Sequence, residues 1–128
     1  MSVLLAAGMA VMACGYPAPL YPARVERIVD GDTAEMEISV GLGVEIQDNA
    51  RLWGFNAPER YEQAGPAATA HLATLIPPGS DVLVELMGSD GRDKYGRPLV
   101  QVFTIDCVDV GLAMIEAGHA QAYMRDRR

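Results

Sequence analysis

The clearest periodicity in the chain lies at residues 33–40, where apolar residues alternate with polar or acidic ones. This period of two predicts a β-strand that is buried on one face. Glycines at 41 and 43 permit a tight reversal, and the return strand is expected over residues 44–55, with a bulge at Asp48-Asn49. A strand at 24–29 precedes them, so the segment predicts a three-stranded antiparallel meander.

Helical and strand patterns alternate in the rest of the chain. Residues 65–76 are rich in alanine, begin with a Gly-Pro pair and are followed by two prolines, which predicts a helix. Strands are expected at 82–87 and 99–105, and a closing helix is expected from an Asp109 N-cap to Gly118. Five short strands and two helices in this order are compatible with a closed Greek-key barrel, although the pattern alone leaves the topology open.

Composition restricts the class of protein. The chain has 128 residues and a mass of 13.7 kDa, half of its residues are hydrophobic, and one domain with its own core is expected. Its net charge of −7 and pI near 4.6 differ from those of general nucleic-acid binders, which usually carry a basic face. Attraction to a polynucleotide would therefore depend on a local basic cluster, and substrate binding should be weak and salt-sensitive. The candidate residues for this cluster are Arg51, Lys94, Arg97, Arg125, Arg127 and Arg128.

An apolar run at residues 3–13 ends at Cys14, a pattern typical of a short export signal with a lipoprotein-type cysteine. No Lys or Arg precedes the run, so an N-terminal extension, or a start site placed too far upstream, is the alternative. The run is too short to span a bilayer as a helix. We therefore expect residues 1–20 to be an extension or signal segment and residues 21–128 to be the domain. The protein is expected to be either exported or lipid-anchored through Cys14, or else cytoplasmic.

The cysteines and histidines give no pattern of a metal or nucleophile site. Cys14 and Cys107 could form a disulfide only in an oxidising compartment, and the preferred interpretation is that Cys107 is a small buried apolar residue beside a strand. His71 and His119 are far apart in sequence, lack metal-ligand spacing and are interpreted as structural.

Three fragments combine the residue types that phosphate-ester chemistry uses: Asp30-Gly31-Asp32-Thr33, Arg51 with Asn56-Ala57-Pro58-Glu59, and Asp93-Lys94-Tyr95-Gly96-Arg97. The first offers carboxylates, which a hard cation such as Ca²⁺ accepts as oxygen ligands. The other two add a carboxylate able to activate water, and two arginines whose paired N–H donors can bind a phosphate. Phosphate-ester hydrolysis requires such a combination, because charge builds on the phosphate oxygens as water attacks.

In their residues and their order, these fragments resemble the staphylococcal (micrococcal) nuclease-like, or thermonuclease-like, family. The resemblance covers roughly residues 24–123 and depends on the fragments occurring together at family-like spacing, since each alone is a common turn or loop. It implies an α+β fold: a five-stranded Greek-key OB-fold barrel with two helices. The family's best-known member continues into a third, lysine-rich C-terminal helix, which this chain, ending at Arg128, is expected to lack.

The resemblance also implies a metal site and a base. The Ca²⁺ ligands would be Asp32, Asn56 and the backbone carbonyl of Ala57, with Asp30 as a supporting carboxylate. Asn56 stands where the family has a second ligand carboxylate, so the site loses one negative charge and should bind Ca²⁺ more weakly. Glu59 is the implied general base.

Basic and aromatic residues are implied to bind the substrate. Arg51 and Arg97 would flank the scissile phosphate and neutralise charge in the transition state. Lys94 and Tyr95 resemble residues that bind a second phosphate in the family. Tyr123 is expected to stack on a base.

Each assignment has a simpler alternative. Asp32 would then be a solvated residue of a hairpin turn, and Asn56 a loop residue bonded to nearby backbone. Glu59 would be a surface carboxylate paired with Arg60. The two arginines would form surface salt bridges, worth under about 1 kcal/mol, with Glu45, Asp48 or Asp93.

The resulting expectation is a calcium-dependent, sugar-nonspecific endonuclease that hydrolyses DNA or RNA to 3′-phosphate ends, as a monomer without a stable protein partner. One alternative is a binding module, in which the barrel holds single-stranded nucleic acid or a peptide and metal function has eroded at Asn56. Another is a domain that serves only the stability of a larger assembly. Retention of Asp32, Glu59 and both arginines favours the enzyme, because a pure binder has little need for all four together.

Overall fold

The structure, a computed structural model, describes residues 10–123. Within that range the chain forms seven strands and two helices. In chain order they are β1 (Tyr21–Asp30), β2 (Thr33–Gly41), β3 (Val44–Leu52), β4 (Gly54–Asn56), α1 (Gly65–Leu75), β5 (Asp81–Leu86), β6 (Leu99–Thr104), α2 (Val110–Glu116) and β7 (Gln121–Tyr123).

Five of the strands close into a barrel in the order β1-β2-β3-β6-β5. β1 pairs antiparallel with β2 and β5, β2 with β3, and β5 with β6. A parallel contact between β3 and β6 completes the ring, with Arg51 paired to Leu99 and Leu52 to Val100. The expected α+β fold, a five-stranded barrel with two helices, is confirmed. The pairing of β3 with β6, which are not consecutive in the chain, is the part of the topology that the pattern left open.

The alternating pattern buries one face of each barrel strand. In β2, Ala34, Met36 and Ile38 are buried while Glu35 and Glu37 between them are partly exposed. A fully buried Val, Leu, Phe or Met side chain stabilises a fold by about 1.5–3 kcal/mol relative to an exposed one, so this interior dominates the stability. Other members of the same core are Ala23, Val25, Ala50, Leu52, Phe55, Ala68, Leu72, Ile76, Val82, Val84, Val100, Val102, Val110 and Met114.

Both helices begin where the sequence indicates. Pro66 lies in the first turn of α1, where no intrahelical hydrogen bond would use its missing N–H. The side chain of Asp109 caps α2 by accepting a hydrogen bond from the Leu112 N–H at 3.2 Å. Gly118, with a φ of 81°, follows the end of α2 and permits the left-handed turn that stops the helix.

The return strand of the meander differs from its prediction in two ways. The prediction of a bulge at Asp48-Asn49 is wrong, because Met36 pairs with Asp48 and Glu35 with Asn49 in continuous register. The strand also ends at Leu52, and Gly54, with a φ of 99°, turns the chain out of the barrel. The short β4 that follows pairs with β7, a strand that the sequence pattern did not indicate.

Residues 11–20 form an N-terminal strap against the outer face of β5 and β6. Val11 and Leu20 exchange two backbone hydrogen bonds of 2.8 Å. Leu20 is buried together with Leu83 and Phe103, which point away from the barrel interior. The strap therefore covers an apolar patch that the barrel would otherwise expose.

Tyr16 anchors the middle of the strap. Its hydroxyl donates a hydrogen bond to Glu85 and lies 3.2 Å from Gln101 Oε1, and its ring centroid lies 5.1 Å from that of Phe103. Burial, together with the hydrogen bond to Glu85, raises the pKa of Tyr16 to about 12. The phenol therefore remains a donor throughout the neutral pH range.

A disulfide between Cys14 and Cys107 joins the strap to the barrel, with 5.2 Å between the two Cα atoms. The interpretation of Cys107 as a buried apolar residue is wrong, because the residue is exposed in the turn after β6, with a φ of 69°. Its partner is 93 residues away in sequence. The packing of the strap, which no local pattern encodes, brings the two sulfur atoms together.

Some of the sequence predictions fall outside the described residues. These are most of the run interpreted as an export signal and the arginines at 125, 127 and 128. The division at residue 20 between extension and domain stays a prediction. From residue 10 to residue 123, no helix is both long and apolar enough to cross a membrane.

Candidate functional site

The three sequence fragments meet at one end of the barrel, around Arg51. In the sheet, Arg51 pairs with Thr33 of β2 on one side and with Leu99 of β6 on the other. Thr33 ends the first fragment, and the Arg51 N–H donates to the Pro98 carbonyl (2.8 Å), directly after Arg97. Strand pairing therefore places the first and third fragments on either side of the second.

Asp32 is a buried carboxylate with several hydrogen-bond donors around it. It is 6% exposed, its Oδ2 accepts from the Ala57 N–H (2.9 Å) and its Oδ1 from the Thr33 hydroxyl (3.2 Å). Asp30 supports the turn, since its Oδ1 accepts the Asp32 N–H at 3.2 Å. Burial raises the pKa of Asp32 to about 6, although the Arg51 guanidinium and the Ala57 N–H act in the opposite direction. The poorly solvated carboxylate favours contact with a positive charge.

Gly31 permits the close approach of this turn to the loop and helix behind it. A Cβ atom at position 31 would lie 2.6 Å from the Cβ of Ala57 and 3.0 Å from that of Ala68 in α1. A larger residue would separate the turn from the Ala57 loop. Gly31 thus sets the spacing between Asp32 and Ala57.

The guanidinium of Arg51 organises the loop that carries Asn56. Its Nη1 donates to the backbone carbonyls of Leu52 and Phe55, the second at 3.0 Å. Its Nη2 donates to Asn56 Oδ1 at 2.8 Å and lies 3.7 Å from Asp32 Oδ2. The acidic partner of Arg51 is thus the buried Asp32 and not a surface carboxylate. Removing one member of such a buried pair typically destabilises a protein by about 3–5 kcal/mol.

Glu59 lies two residues beyond Ala57, and its side chain is exposed. Its N–H donates to Glu62 Oε1 (2.6 Å) and its carbonyl accepts the Glu62 N–H (2.9 Å), which forms a tight turn before α1. A Cβ at Gly65 would lie 1.9 Å from the Glu59 carbonyl oxygen, so a glycine is required there. Within residues 10–123, no hydrogen bond joins the Glu59 carboxylate to Asp32 or to Arg60. The structure fixes its backbone and leaves the carboxylate accessible.

The third fragment is a compact loop built around Asp93. This side chain is 2% exposed and accepts from the N–H groups of Tyr95 and Arg97 (both 2.9 Å) and from Arg97 Nε (2.7 Å). Although burial acts to raise it, these hydrogen bonds hold the pKa of Asp93 below its ordinary value. The simpler alternative for Arg97 was a surface salt bridge with Asp93. The two residues do form a salt bridge, but Asp93 is buried and the pair holds the loop together. Lys94 and Tyr95 are exposed at its tip.

β7 extends the site on the side of β4. In this strand pair, Tyr123 lies opposite Gly54 and Gln121 lies opposite Asn56. Directly opposed residues of antiparallel strands project on the same face, so Gln121 lies beside Asn56. Tyr123, predicted to stack on a base, is partly buried at the other end of the pair.

The oxygen atoms around Asp32 are donors of the kind that hard cations prefer. Asp32 Oδ2 and Asn56 Oδ1 have the same guanidinium nitrogen as a neighbour, and the Ala57 backbone is fixed against Asp32. In the described part of the chain, no group of three or more His, Cys, Asp or Glu side chains is arranged to hold a metal ion. A cation here would rely on amide and backbone oxygens beside the carboxylates, at a site of low negative charge.

Comparison with known proteins identifies the family of the chain. Residues 49–128, more than half of the 128-residue chain, match the family described as staphylococcal nuclease homologue. The chain belongs to the staphylococcal nuclease family. Proteins of this family use a metal ion, whereas the identity of the ion for this chain stays a prediction.

Two bacterial relatives of this nuclease-family chain are named endonucleases. Endonuclease YhcR of Bacillus subtilis (strain 168) is 33% identical over 114 residues, and an uncharacterized endonuclease of Escherichia coli O157:H7 is 37% identical over 100 residues. The alignments cover 80% and 78% of this chain but 9% and 60% of the two relatives. The chain thus spans less than two thirds of the length of either relative.

The predicted site residues differ in how closely the structure brings them together. Asp32, Arg51, Asn56 and Ala57 are in direct contact, and Arg97 lies in the loop before β6, next to Pro98, whose carbonyl accepts the Arg51 N–H. The Arg97 guanidinium lies over the ring of Tyr95, 5.7 Å from its centroid, and Lys94 Nζ lies 5.4 Å from the same centroid. The roles of all these residues, and those predicted for Glu59 and Tyr123, stay predictions. Sequence reasoning missed the positioning residues Gly31, Glu62, Gly65 and Gln121. Of these, Gly31, between two aspartates, and Gly65, in the Gly-Pro pair that opens α1, carried a local signal.

Proposed function

We propose that this protein is a calcium-dependent nuclease that hydrolyses phosphodiester bonds in DNA or RNA, without preference for the sugar, and leaves 3′-phosphate ends. The observation that carries the proposal is the buried Asp32–Arg51 pair beside Asn56, at the barrel end where β2, β3 and β6 meet. Family membership and two relatives named endonucleases support nuclease chemistry.

Asp32, Asn56 and the Ala57 carbonyl would hold the Ca²⁺ ion, with Asp30 supporting the Asp32 turn. All of these donors are oxygen atoms, and the buried Asp32 carboxylate gains most from a cation because it is poorly solvated. Bound there, Ca²⁺ would supply positive charge against the scissile phosphate.

The two arginines contribute in different ways. Both terminal nitrogens of Arg51 are engaged within the protein, so Arg51 acts as a fixed positive charge and holds the Asn56 loop. The Arg97 side chain is 34% exposed and, within the described residues, only its Nε forms a side-chain hydrogen bond. Its terminal nitrogens are therefore the ones that bind phosphate oxygens directly.

The remaining residues position water and the rest of the substrate. Glu59 is the general base, since its backbone is fixed by the Glu62 turn while its carboxylate is accessible. Lys94 and Tyr95, at the exposed loop tip, bind a neighbouring phosphate. Tyr123 stacks on a base.

Cleavage of a single-stranded DNA oligonucleotide, with Ca²⁺ or with chelator, tests the proposal. Glu59→Gln should lower kcat by roughly two to four orders of magnitude with nearly unchanged binding, as expected for loss of a general base. Glu45→Gln is the matched control, because Glu45 is exposed near the start of the nine-residue strand β3, at the opposite end of that strand from Arg51. Parental activity in Glu59→Gln would remove Glu59 from the mechanism. Absence of cleavage with Ca²⁺ would refute the calcium-dependent nuclease.

Asn56→Asp should tighten Ca²⁺ binding, because it adds the ligand charge that the family pattern carries at this position. The carboxylate can keep the bond from Arg51 Nη2, which is 2.8 Å long to Asn56 Oδ1. Calorimetric titration measures the change, and Asn49→Asp, on the exposed middle of β3, is the control for added charge. Equal Ca²⁺ affinity of Asn56→Asp and the parent would mean that position 56 does not touch the ion.

One observation favours the alternative of a binding-only module. Arg51 is fully engaged inside the protein and Asn56 is uncharged, so the barrel could retain affinity for a polynucleotide without catalysing its cleavage. The same assay separates the two functions, because a binding module would retain the oligonucleotide in chelator and leave it intact in Ca²⁺.

We also propose that the protein works in an oxidising compartment. The disulfide between Cys14 and Cys107 supports this, since disulfides rarely persist in a reducing cytosol. A lipid thioether at Cys14 would need the same sulfur atom, so the proposal is export without an anchor at Cys14. Alkylation of the protein in its native source, followed by mass analysis, should find neither thiol free, and two alkylated thiols would contradict the proposal.

A further inference from the structure

A cleft of ≈ 570 Å³ opens beside the site, between the loop after β4, the turn before α1 and the segment that joins α2 to β7. It begins at Asn56 and Ala57, so anything bound in it lies next to the reacting phosphate. Its other lining residues are Pro58, Glu62, Ala64, Gly118, His119, Ala120 and Gln121. Glu62 belongs to the turn that fixes the Glu59 backbone, and the others have no part in the proposed catalysis.

We propose that this cleft binds a nucleobase of the substrate adjacent to the scissile phosphate, with His119 and Gln121 as the contact residues. The inference rests on the proposed function for the identity of the substrate. It places the base on the side of Asn56 away from Tyr123, because Tyr123 lies opposite Gly54 at the other end of the β4–β7 pair.

The ring of His119 is a fixed platform for stacking. It stacks against His71 of α1, with 4.7 Å between the ring centroids and 28° between the ring planes. Because α1 supports the ring, little side-chain freedom remains to be lost when a planar base packs onto it. Bases that are extruded from a strand are commonly stacked on aromatic side chains, histidine included.

Gln121 supplies polar contacts at the edge of the same cleft. Its pairing opposite Asn56 fixes its backbone, and its exposed amide carries both a donor and an acceptor. These match the mixed donors and acceptors on the edge of any base, which agrees with an enzyme that tolerates many sequences.

The charge of the cleft excludes a phosphate as the occupant. Glu62 contributes a carboxylate, and no Lys or Arg is among the lining residues that the structure describes. An uncharged planar ring suits such a surface, while the phosphates remain with Arg51 and Arg97. The volume also lies within the range of about 300–1,000 Å³ that is typical of small-molecule sites.

The test uses adenosine and cytidine, which lack phosphate, so that neither phosphate binding nor cleavage takes part. Each nucleoside is titrated into the full chain without Ca²⁺ while NMR follows the His119 ring and the Gln121 side-chain amide. Saturable shifts with dissociation constants of about 1–10 mM are expected, because one stacked base gives modest affinity. Gln121→Ala should weaken binding roughly three- to tenfold, as for loss of a hydrogen bond. Gln47→Ala, exposed on β3, should leave binding unchanged.

Absence of saturable shifts at His119 and Gln121, or equal binding by Gln121→Ala and Gln47→Ala, would overturn the proposal. The readout is independent of the nuclease proposal. Nucleoside binding by a chain that cleaves no DNA would support the cleft and reject the nuclease, whereas cleavage without nucleoside binding would do the reverse.

Discussion

Replacement of Gly31 by alanine tests whether the spacing between the Asp32 turn and the Ala57 loop controls the site. The new Cβ would lie 2.6 Å from the Cβ of Ala57 and 3.0 Å from that of Ala68. Carbon atoms in contact normally lie about 3.5–4.0 Å apart, so a displacement of about 1 Å is needed. Ala68 is held in α1, so the Ala57 loop should move.

The displacement should affect stability and activity together. Overpacking of this kind destabilises a protein by about 1–3 kcal/mol. It would also disturb the hydrogen bond from the Ala57 N–H to Asp32 Oδ2, which is 2.9 Å long in the parent, and a misplacement of about 1 Å can lower a rate about 10²-fold. Urea unfolding measures the first effect, and kcat on single-stranded DNA measures the second.

A second substitution separates the clash from other effects. Ala57→Gly removes the nearer Cβ, so Gly31→Ala/Ala57→Gly should recover most of the lost activity. Gly43→Ala is the control: nothing lies within 4 Å of its Cβ, but its φ of +75° should make alanine destabilising without changing activity. Parental activity in Gly31→Ala, or no recovery in the double variant, would refute the reasoning.

Two further predictions concern the disulfide and the Asp93 loop. Cys14→Ser/Cys107→Ser should lower the free energy of unfolding by up to about 4.5 kcal/mol, as the loop-closure entropy for a 93-residue separation implies, and a loss below about 1 kcal/mol in urea unfolding would contradict this. Because the folded-state pKa of Asp93 is lowered, its stabilisation is present above the unfolded value of about 3.9 and is lost as the pH falls through the folded pKa. Asp93→Asn should therefore make the free energy of unfolding fall less steeply as the pH is lowered, while Asp48→Asn, exposed on β3, should not. An equally steep fall in Asp93→Asn and in the parent would count against the role of the Asp93 hydrogen bonds.

The elements that the sequence predicted correctly depend on near neighbours. Alternation along β2 reflects one buried face, Pro66 suits the first turn of a helix, and Asp109 caps the helix three residues before Leu112. Each signal involves residues within a few positions of one another. Periodicity and capping rules therefore recovered both helices and the barrel strands.

The features that the sequence did not predict depend on contacts between distant segments of the chain. β7 is three residues long and is defined by its pairing with β4, which lies more than 60 residues earlier in the chain. Cys107 forms its disulfide with Cys14 in the strap, 93 residues away in sequence. Gln121 lies beside the site only through its register opposite Asn56. Local patterns contain no information about such partners.

The sequence by itself determined which chemical groups the site has and in what order they occur: the aspartates of the first turn, Asn56 in place of a carboxylate, Glu59, and the two arginines. Only the tertiary structure decided whether each group is buried or accessible and which partners it has. Asp32 is buried against Arg51, Arg97 is tied to Asp93, and Glu59 is left accessible. The reason is that solvation and hydrogen-bond partners depend on atoms that strand pairing brings together from distant parts of the chain.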